Sequence, residues 1–225
     1  MRSTSSKIIA IVAVATFITA LNACIVHIGG NDDEYDVQHW QPQQEDEYYS
    51  SDQGNIDNVN ENIKLGKNAN AGKLENVNGN IYLKGNNNVQ QVETVNGDID
   101  IDENVTVANA VTSVNGRIQL DSHSSVGGDI HSVNGNIKLK DATVMGSIKV
   151  VNSDISLKDH SEVHGDIVYG SDDSFFSDWN DNHNSPTLRI GKDVILHGNI
   201  ILYRPVNVKF DGQPQPDKIK RPDSK

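Results

Sequence analysis

Apolar and polar residues alternate in short runs that return every 18 or 19 residues along most of the chain. Each run has the form Ile-x-Leu or a close variant, as at Ile81/Leu83, Ile118/Leu120 and Ile137/Leu139. A period of two is typical of a β-strand with one buried face. A fixed period of this length indicates repeated units that bury their apolar faces against one another. The pattern therefore predicts an all-β repeat fold.

The phrase Val-Asn-Gly-x-Ile stands at the start of the strand in four repeats. Its Asn-Gly pair favours a bend, because both residues accept positive φ. A second set of small residues returns later in each period, as at Val126-Gly127-Gly128. A hairpin meander is the alternative that Asn-Gly suggests, but a meander does not need the same residues at a fixed interval. We predict a parallel β-solenoid, a triangular β-helix of about seven coils of 18–19 residues.

The asparagines of the phrase are predicted to stack along the solenoid axis. Stacked strands can join such residues in hydrogen-bonded ladders, and a row of ligand-binding amides is the alternative. Ile, Val and Leu, including the valine of the phrase, are predicted to fill the interior. The predicted turn ladder consists of Asn78, Asn96, Asn115 and Asn134.

One insertion, at residues 170–187, interrupts the repeat. Leu188-x-Ile190 and His197-Gly198-Asn199-Ile200 then reproduce the spacing of the preceding coil, so another coil is predicted after it. Loops on rigid scaffolds commonly carry binding residues; the alternative is a flap whose aromatic side chains cover the coil surface. The candidate binding loop contains Phe175, Phe176, Asp178, Trp179 and Asp181.

Two patterns raise the question of a metal. Asp178-x-Asn180-x-Asn182 resembles the start of a calcium loop, but His183 and Arg189 replace the required Gly and Glu. His164 and His197 are predicted to stack at one corner of adjacent coils. Two histidines can begin a metal site, yet the sequence indicates no third ligand, so corner packing is favoured. We predict no metal site and no cofactor.

Charge and motifs narrow the function classes. A net charge of −12 argues against a nucleic-acid partner, which requires a basic surface. The sequence has no phosphate-binding loop, nucleophile elbow or metalloprotease motif. A β-helix enzyme acting on polysaccharides needs convergent charged groups, whereas the acidic residues of these repeats are scattered. We predict a non-enzymatic protein, with a carbohydrate-active enzyme as the less favoured class.

The N-terminal region has the features of an export signal. Residues 1–23 combine a basic start with an apolar stretch, and Leu21-Asn22-Ala23-Cys24 resembles the lipobox of bacterial lipoproteins. That resemblance implies cleavage before Cys24 and its lipidation, and Ile25 after it resembles outer-membrane sorting. An ordinary secretory signal is the alternative. The predicted location is the cell envelope, as an outer-membrane lipoprotein facing the periplasm or the surface.

The remaining segments are predicted to flank the solenoid. Residues 24–54 are acidic and polar, which suits a flexible tether. The solenoid spans residues 55–210, with residues 206–210 as a cap over the last coil. Residues 211–225 contain three prolines among basic residues and are predicted to be disordered.

Its Gly-Asn/Asp-Ile-x-Leu periodicity makes the chain, from about residue 55 to 203, resemble the bacterial adhesin-like β-solenoid family (auto-transporter adhesin head-like domains). It resembles the bactofilins more distantly. The resemblance implies a structural or adhesion role in the cell envelope, with the membrane as partner through lipid on Cys24 and a protein or glycan as ligand. A self-associating, bactofilin-like scaffold is the alternative. The shared motif determines the fold and brings no catalytic residues.

The lipobox predicts that a Cys24→Ala variant loses its membrane anchor. Several acyl chains, at about 0.8 kcal/mol per buried CH₂, make anchoring effectively permanent. We expect the wild-type protein in the detergent phase and the variant in the aqueous phase after phase separation. Continued fractionation of the variant with membranes would contradict lipidation at this residue.

Overall fold

The computed structural model describes residues 48–170 and 185–222. Cys24 and the predicted signal segment lie outside the described residues. So does the candidate binding loop, with Phe175, Phe176, Asp178, Trp179 and Asp181. Within the described ranges, no helix is long and apolar enough to cross a membrane.

Short parallel strands make up the regular structure of the described ranges, with one 3₁₀ turn, η1 (Pro216–Lys218), and no α-helix. The strands are β1 (Ile56–Asn58), β2 (Ile63–Leu65), β3 (Asn70–Asn78), β4 (Ile81–Leu83), β5 (Asn88–Asn96), β6 (Ile99–Ile101), β7 (Thr106–Val107), β8 (Val111–Asn115), β9 (Ile118–Leu120), β10 (Ser125–Val126), β11 (Ile130–Lys140), β12 (Thr143–Val144), β13 (Ile148–Lys158), β14 (Glu162–Val163), β15 (Ile167–Tyr169), β16 (Thr187–Ile190), β17 (Ile195–Leu196), β18 (Ile200–Leu202), β19 (Asn207–Phe210) and β20 (Ile219–Lys220).

Each strand pairs in parallel with a strand one repeat earlier or later in the chain. The strands that follow the Asn-Gly bend pair as β2–β4–β6–β9–β11–β13–β16–β19. Their registers place Ile63 beside Ile81, Ile81 beside Ile99, and Ile99 beside Ile118. Two further stacks, which contain β7–β10–β12–β14–β17 and β8–β11–β13–β15–β18, form the other sides. The parallel β-solenoid is thus confirmed, with about eight turns.

Columns of identical or similar apolar side chains fill the interior. Ile63, Ile81, Ile99, Ile118 and Ile137 stack with no exposed surface. Burying a side chain of this size contributes roughly 1.5–3 kcal/mol. One such set per coil makes the core continuous, so each coil depends on its neighbours for burial.

The valine of the repeated phrase does not belong to this core, contrary to the sequence prediction. Val77, Val95 and Val114 are half-buried. The preceding residue points inward in their place. Strand parity is the reason: the buried residue at the start of the same strand fixes every second side chain inward. The inward positions are occupied by Asn76, Thr94, Ser113, Ser132, Val150 and Tyr169.

The third corner of the coils has its own repeating conformation. In six successive coils, one residue has φ between 52° and 64°. Asparagine, aspartate and histidine are enriched in this left-handed region. The series is Asn68, Asn86, Asn104, His123, Asp141 and Asp159.

The glycine of the Asn-Gly bend is required by close packing between coils. A Cβ added to Gly97 would lie 2.0 Å from the carbonyl oxygen of Gly79, and one on Gly116 would lie 2.0 Å from that of Gly97. Real Cβ atoms do not approach this closely. The bend therefore lets successive backbones stack directly at this corner.

The coil predicted after the insertion is present, because Leu188 pairs with Ile155 and Ile190 with Leu157. The segment predicted to cap the last coil contributes β19, which pairs with β16 as a further rung. Beyond it the structure differs from the predicted disorder. Residues 211–222 include η1 and β20, and Ile219 pairs with Ile200.

The third corner predicts a selective response to substitution at Asn104, an exposed residue with φ 59°. Asn104→Val should destabilise the solenoid by about 1–2 kcal/mol, because a β-branched residue is strained in this region. Asn104→Gly, the matched control, should change stability less, since glycine adopts this φ freely. Urea unfolding followed by circular dichroism measures both; equal losses would contradict the conformational explanation.

Candidate functional site

The predicted asparagine ladder forms a column of side-chain hydrogen bonds along the first corner. The Nδ2 of Asn96 donates to Oδ1 of Asn78 over 2.9 Å, Asn115 donates to Asn96 over 2.9 Å, and Asn134 to Asn115 over 3.1 Å. Asn78 donates in the same way to Asn60 over 3.2 Å. These amides therefore satisfy one another from coil to coil, which is a structural role.

A second column stands next to it, at the position after the glycine. The Oδ1 of Asn62 accepts from the backbone N–H of Asn80, Asn80 from Asp98, and Asp98 from Arg117, each over 2.8 Å. This role was not predicted from the sequence, in which the acidic residues of the repeats look scattered. Asn or Asp at this position in consecutive repeats was the available signal. Arg117 cannot accept a hydrogen bond. Its Nη2 instead donates to both carboxylate oxygens of Asp100, over 2.7 and 2.9 Å.

The second corner, where small residues such as Gly127 and Gly128 return in each period, uses the same kind of hydrogen bond from a backbone N–H to a side-chain oxygen. Oδ1 of Asp129 accepts from the backbone N–H of Ser147, and Oδ1 of Asp166 from that of Asn199, both over 2.8 Å. Asp129 also pairs with Lys149 over 2.6 Å. Burial opposes a lowered pKa of Asp129, but the hydrogen bonds from Lys149 and Ser147 outweigh it and lower the pKa. These carboxylates hold coils together.

The asparagine column ends where the repeated phrase changes. Val151-Asn152-Ser153 replaces Val-Asn-Gly, and Asn152 pairs in register with Asn134. Within the described ranges, no hydrogen bond joins their side chains. Ser153 turns inward and its hydroxyl lies 2.9 Å from that of Ser132. β13 runs through this corner without a break, as β11 does, and among the described residues no side-chain hydrogen bond is made to the amide of Asn152, so that amide is left available.

An open, polar groove lies at this break, with a volume of about 610 Å³. Two hydrogen bonds shape its far wall: Thr187 N–H donates to Asp154 over 2.7 Å, and Asn207 donates to the Ser185 carbonyl over 3.3 Å. Ser185 lies near the end of the insertion, residues 170–187. The groove is lined by Asn134, Gly135, Asn136, Asn152, Asp154, Ser185, Pro186, Thr187 and Asn207. These groups offer amides, hydroxyls and one carboxylate, and no cation.

A cluster of ionisable side chains lies at the second corner of these coils. His164 and His197 stack as predicted, with ring centroids 4.4 Å apart and planes inclined by 18°. The structure adds Glu162, which the sequence analysis did not identify as a third group. Its Oε1 lies 3.2 Å from Nε2 of His164 and 2.6 Å from Nε2 of His197. The hydrogen bond with His197 is the main cause that lowers the pKa of Glu162.

The signal for Glu162 was present in the sequence. Glu162 lies in β14 and His164 stands two residues later, directly after the strand and still hydrogen-bonded to Val144, so their side chains share a face. The register of β14 with β17 then brings His197 to the same place. In the described ranges, Glu162, His164 and His197 are the group of potential metal-ligating side chains whose donor atoms all lie within 4.8 Å of one another.

Comparison with protein families gives one assignment. The profile described as Toastrack DUF4097 matches residues 36–192, which is more than half of the chain. Searches among curated proteins and among solved structures found no match.

Proposed function

We propose that the chain, which belongs to the Toastrack DUF4097 family, is a non-enzymatic protein of the cell envelope, anchored by lipid on Cys24. Its solenoid is a rigid module that binds a glycan in the groove between Asn134 and Thr187. The observation that carries the proposal is the break in the asparagine column, which leaves hydrogen-bonding groups available at a corner where the asparagine side chains of the preceding coils are paired with one another.

The use of the polar side chains supports a structural role for most of the solenoid. Asn62, Asn80, Asp98, Asp129 and Asp166 accept backbone hydrogen bonds from the next coil. A net hydrogen bond contributes about 0.5–1.5 kcal/mol, and more when the acceptor is charged. Residues committed in this way stabilise the stack and are poorly placed to act as acids or bases.

The groove's chemistry favours a polyhydroxylated ligand. Asn136 and Asn152 each offer a donor and an acceptor, and Asp154 adds a carboxylate that can accept from hydroxyl groups. The absence of a lining cation, in the part of the chain that the structure describes, disfavours phosphorylated or strongly acidic ligands. An open groove beside a coil also suits a chain of sugars better than a small enclosed molecule.

Substitution of one groove asparagine tests this assignment. Asn136 is exposed and makes no side-chain hydrogen bond to a described residue. Asn136→Ala should therefore leave stability unchanged but weaken glycan binding about 2- to 10-fold, the loss of one hydrogen bond. Detergent-solubilised full-length protein on a glycan array, followed by titration of the best ligand, gives the affinities.

Asn109→Ala is the matched control, because Asn109 is an exposed asparagine at the second corner, away from the groove. It should bind like the wild type. Equal binding by all three proteins would place the ligand elsewhere, and no binding to any glycan would reject the ligand class. Release of shortened glycan during the titration would contradict the non-enzymatic assignment.

A self-assembling scaffold is the second candidate function, and one observation favours it. The last rungs carry half-buried apolar side chains that pack on the core from its end, namely Val206, Val208, Phe210 and Ile219. Among the described residues, no strand pairs with the outer edge of β19. An unpaired edge can add a strand from another copy.

Sizing separates the two candidates. If solenoids join end to end through β19, the Cys24→Ala chain should grow in mass as its concentration rises, and Val208→Lys should keep it monomeric by placing a charge at the edge. Multi-angle light scattering at several concentrations measures this. A monomer at every concentration would reject the scaffold.

A further inference from the structure

The geometry points to a transition-metal site formed by Glu162, His164 and His197, which would bind a divalent ion such as Zn²⁺ and join the coils on either side of the insertion. The inference is independent of the ligand proposed for the groove, because the cluster lies at a different corner and uses different residues.

The donor atoms converge. Both Nε2 atoms face one oxygen, Oε1 of Glu162, at 3.2 Å from His164 and 2.6 Å from His197, and all three atoms lie within 4.8 Å. Zn²⁺ holds nitrogen and oxygen ligands at about 2.0–2.2 Å, so tetrahedral ligands stand roughly 3.3 Å apart. The observed separations need only small side-chain adjustments to reach that spacing.

The ligand types select the metal class. Two imidazoles and one carboxylate suit Zn²⁺, Cu²⁺, Ni²⁺ or Fe²⁺ better than Ca²⁺ or Mg²⁺, which prefer oxygen ligands alone. Three protein ligands leave at least one position for water. The side chains are partly exposed, by 31% for Glu162, 34% for His164 and 48% for His197, so an ion can reach them from solvent.

The backbone holds the ligands in place before any ion binds. Glu162 lies in β14 and His164 directly follows this strand, and the register of Val163 with Leu196 sets His197 directly beside His164. Lys218 donates to the carbonyls of His197 and Gly198, over 3.2 and 3.3 Å. Residues 211–222, predicted to be disordered, thus help to hold the second histidine in position.

Ordinary corner packing is the competing explanation, since stacked side chains are common in a solenoid. Corner packing explains the stacked rings. It does not explain why a carboxylate oxygen lies close to both ring nitrogens. It also does not explain why the equivalent positions of the neighbouring coils lack these residue types. At the equivalent positions, the coil before β14 carries Thr143 and Met145.

Zn²⁺ binding to the metal-stripped full chain tests the site. Competition with a chromophoric chelator should show that His164→Gln and His197→Gln each lower Zn²⁺ affinity about ten-fold or more, because each removes one of three ligands. Co²⁺ in place of Zn²⁺ should give visible absorption bands that both variants lose. Circular dichroism confirms that the variants are folded.

His123→Asn is the matched control. His123 is a surface histidine 3.5 Å from Asp141, without a second histidine beside it, and asparagine accepts its φ of 61°. It should bind Zn²⁺ like the wild type. If a histidine variant fails to fold, Glu162→Gln, which keeps the shape of the side chain, supplies the comparison. Unchanged Zn²⁺ affinity in the folded cluster variants would overturn the proposal.

Discussion

The stacking of each coil directly on the one before it is the constraint on which the rest of the structure depends. Parallel strands lie about 4.8 Å apart, so a residue meets the residue one period later, and whatever stands at a position must tolerate its own kind as a neighbour. Isoleucine beside isoleucine satisfies this in the core, and asparagine beside asparagine satisfies it at the corner. Glycine at the bend satisfies it by having no side chain, since a Cβ on Gly97 would overlap the Gly79 carbonyl.

The same constraint determines where binding can occur. A side chain that repeats in every coil is occupied by its counterparts above and below, as Asn96 is by Asn78 and Asn115. Only a departure from the repeat releases polar groups or brings unlike ones together. Both candidate sites are such departures. Ser153 in place of glycine ends the asparagine column beside the groove, and Glu162 with its two histidines replaces the ordinary corner residues of one coil pair.

Sequence reasoning succeeded where the repeat itself carries the information. The period, the asparagine column and the coil that resumes at Leu188 follow from identical residues at fixed spacing. It failed where the outcome depends on the direction of a side chain or on a contact between residues that are distant in sequence. The valine of the phrase was placed inside because it is apolar, but strand parity set by the residue three positions earlier turns it outward. Ile219–Lys220 looked disordered among prolines, yet a two-residue strand needs only the free edge of β18. Glu162 was missed although it stands two residues before His164, because its position carries Ser125 and Thr143 in the preceding coils and the repeat gave no sign of an acidic residue there.

The insertion costs the solenoid little free energy. Leu188 pairs with Ile155, 33 residues earlier in the chain, where the other strands of this stack are separated by 18 to 20. Closing the longer loop costs only about 0.5 kcal/mol more in chain entropy, which a single buried isoleucine exceeds several-fold. The coil beyond the insertion therefore pairs through its own core. An ion held by Glu162, His164 and His197 would add to a junction that is already formed. For this reason the loss of a ligand there should be visible in metal affinity while the solenoid itself stays intact.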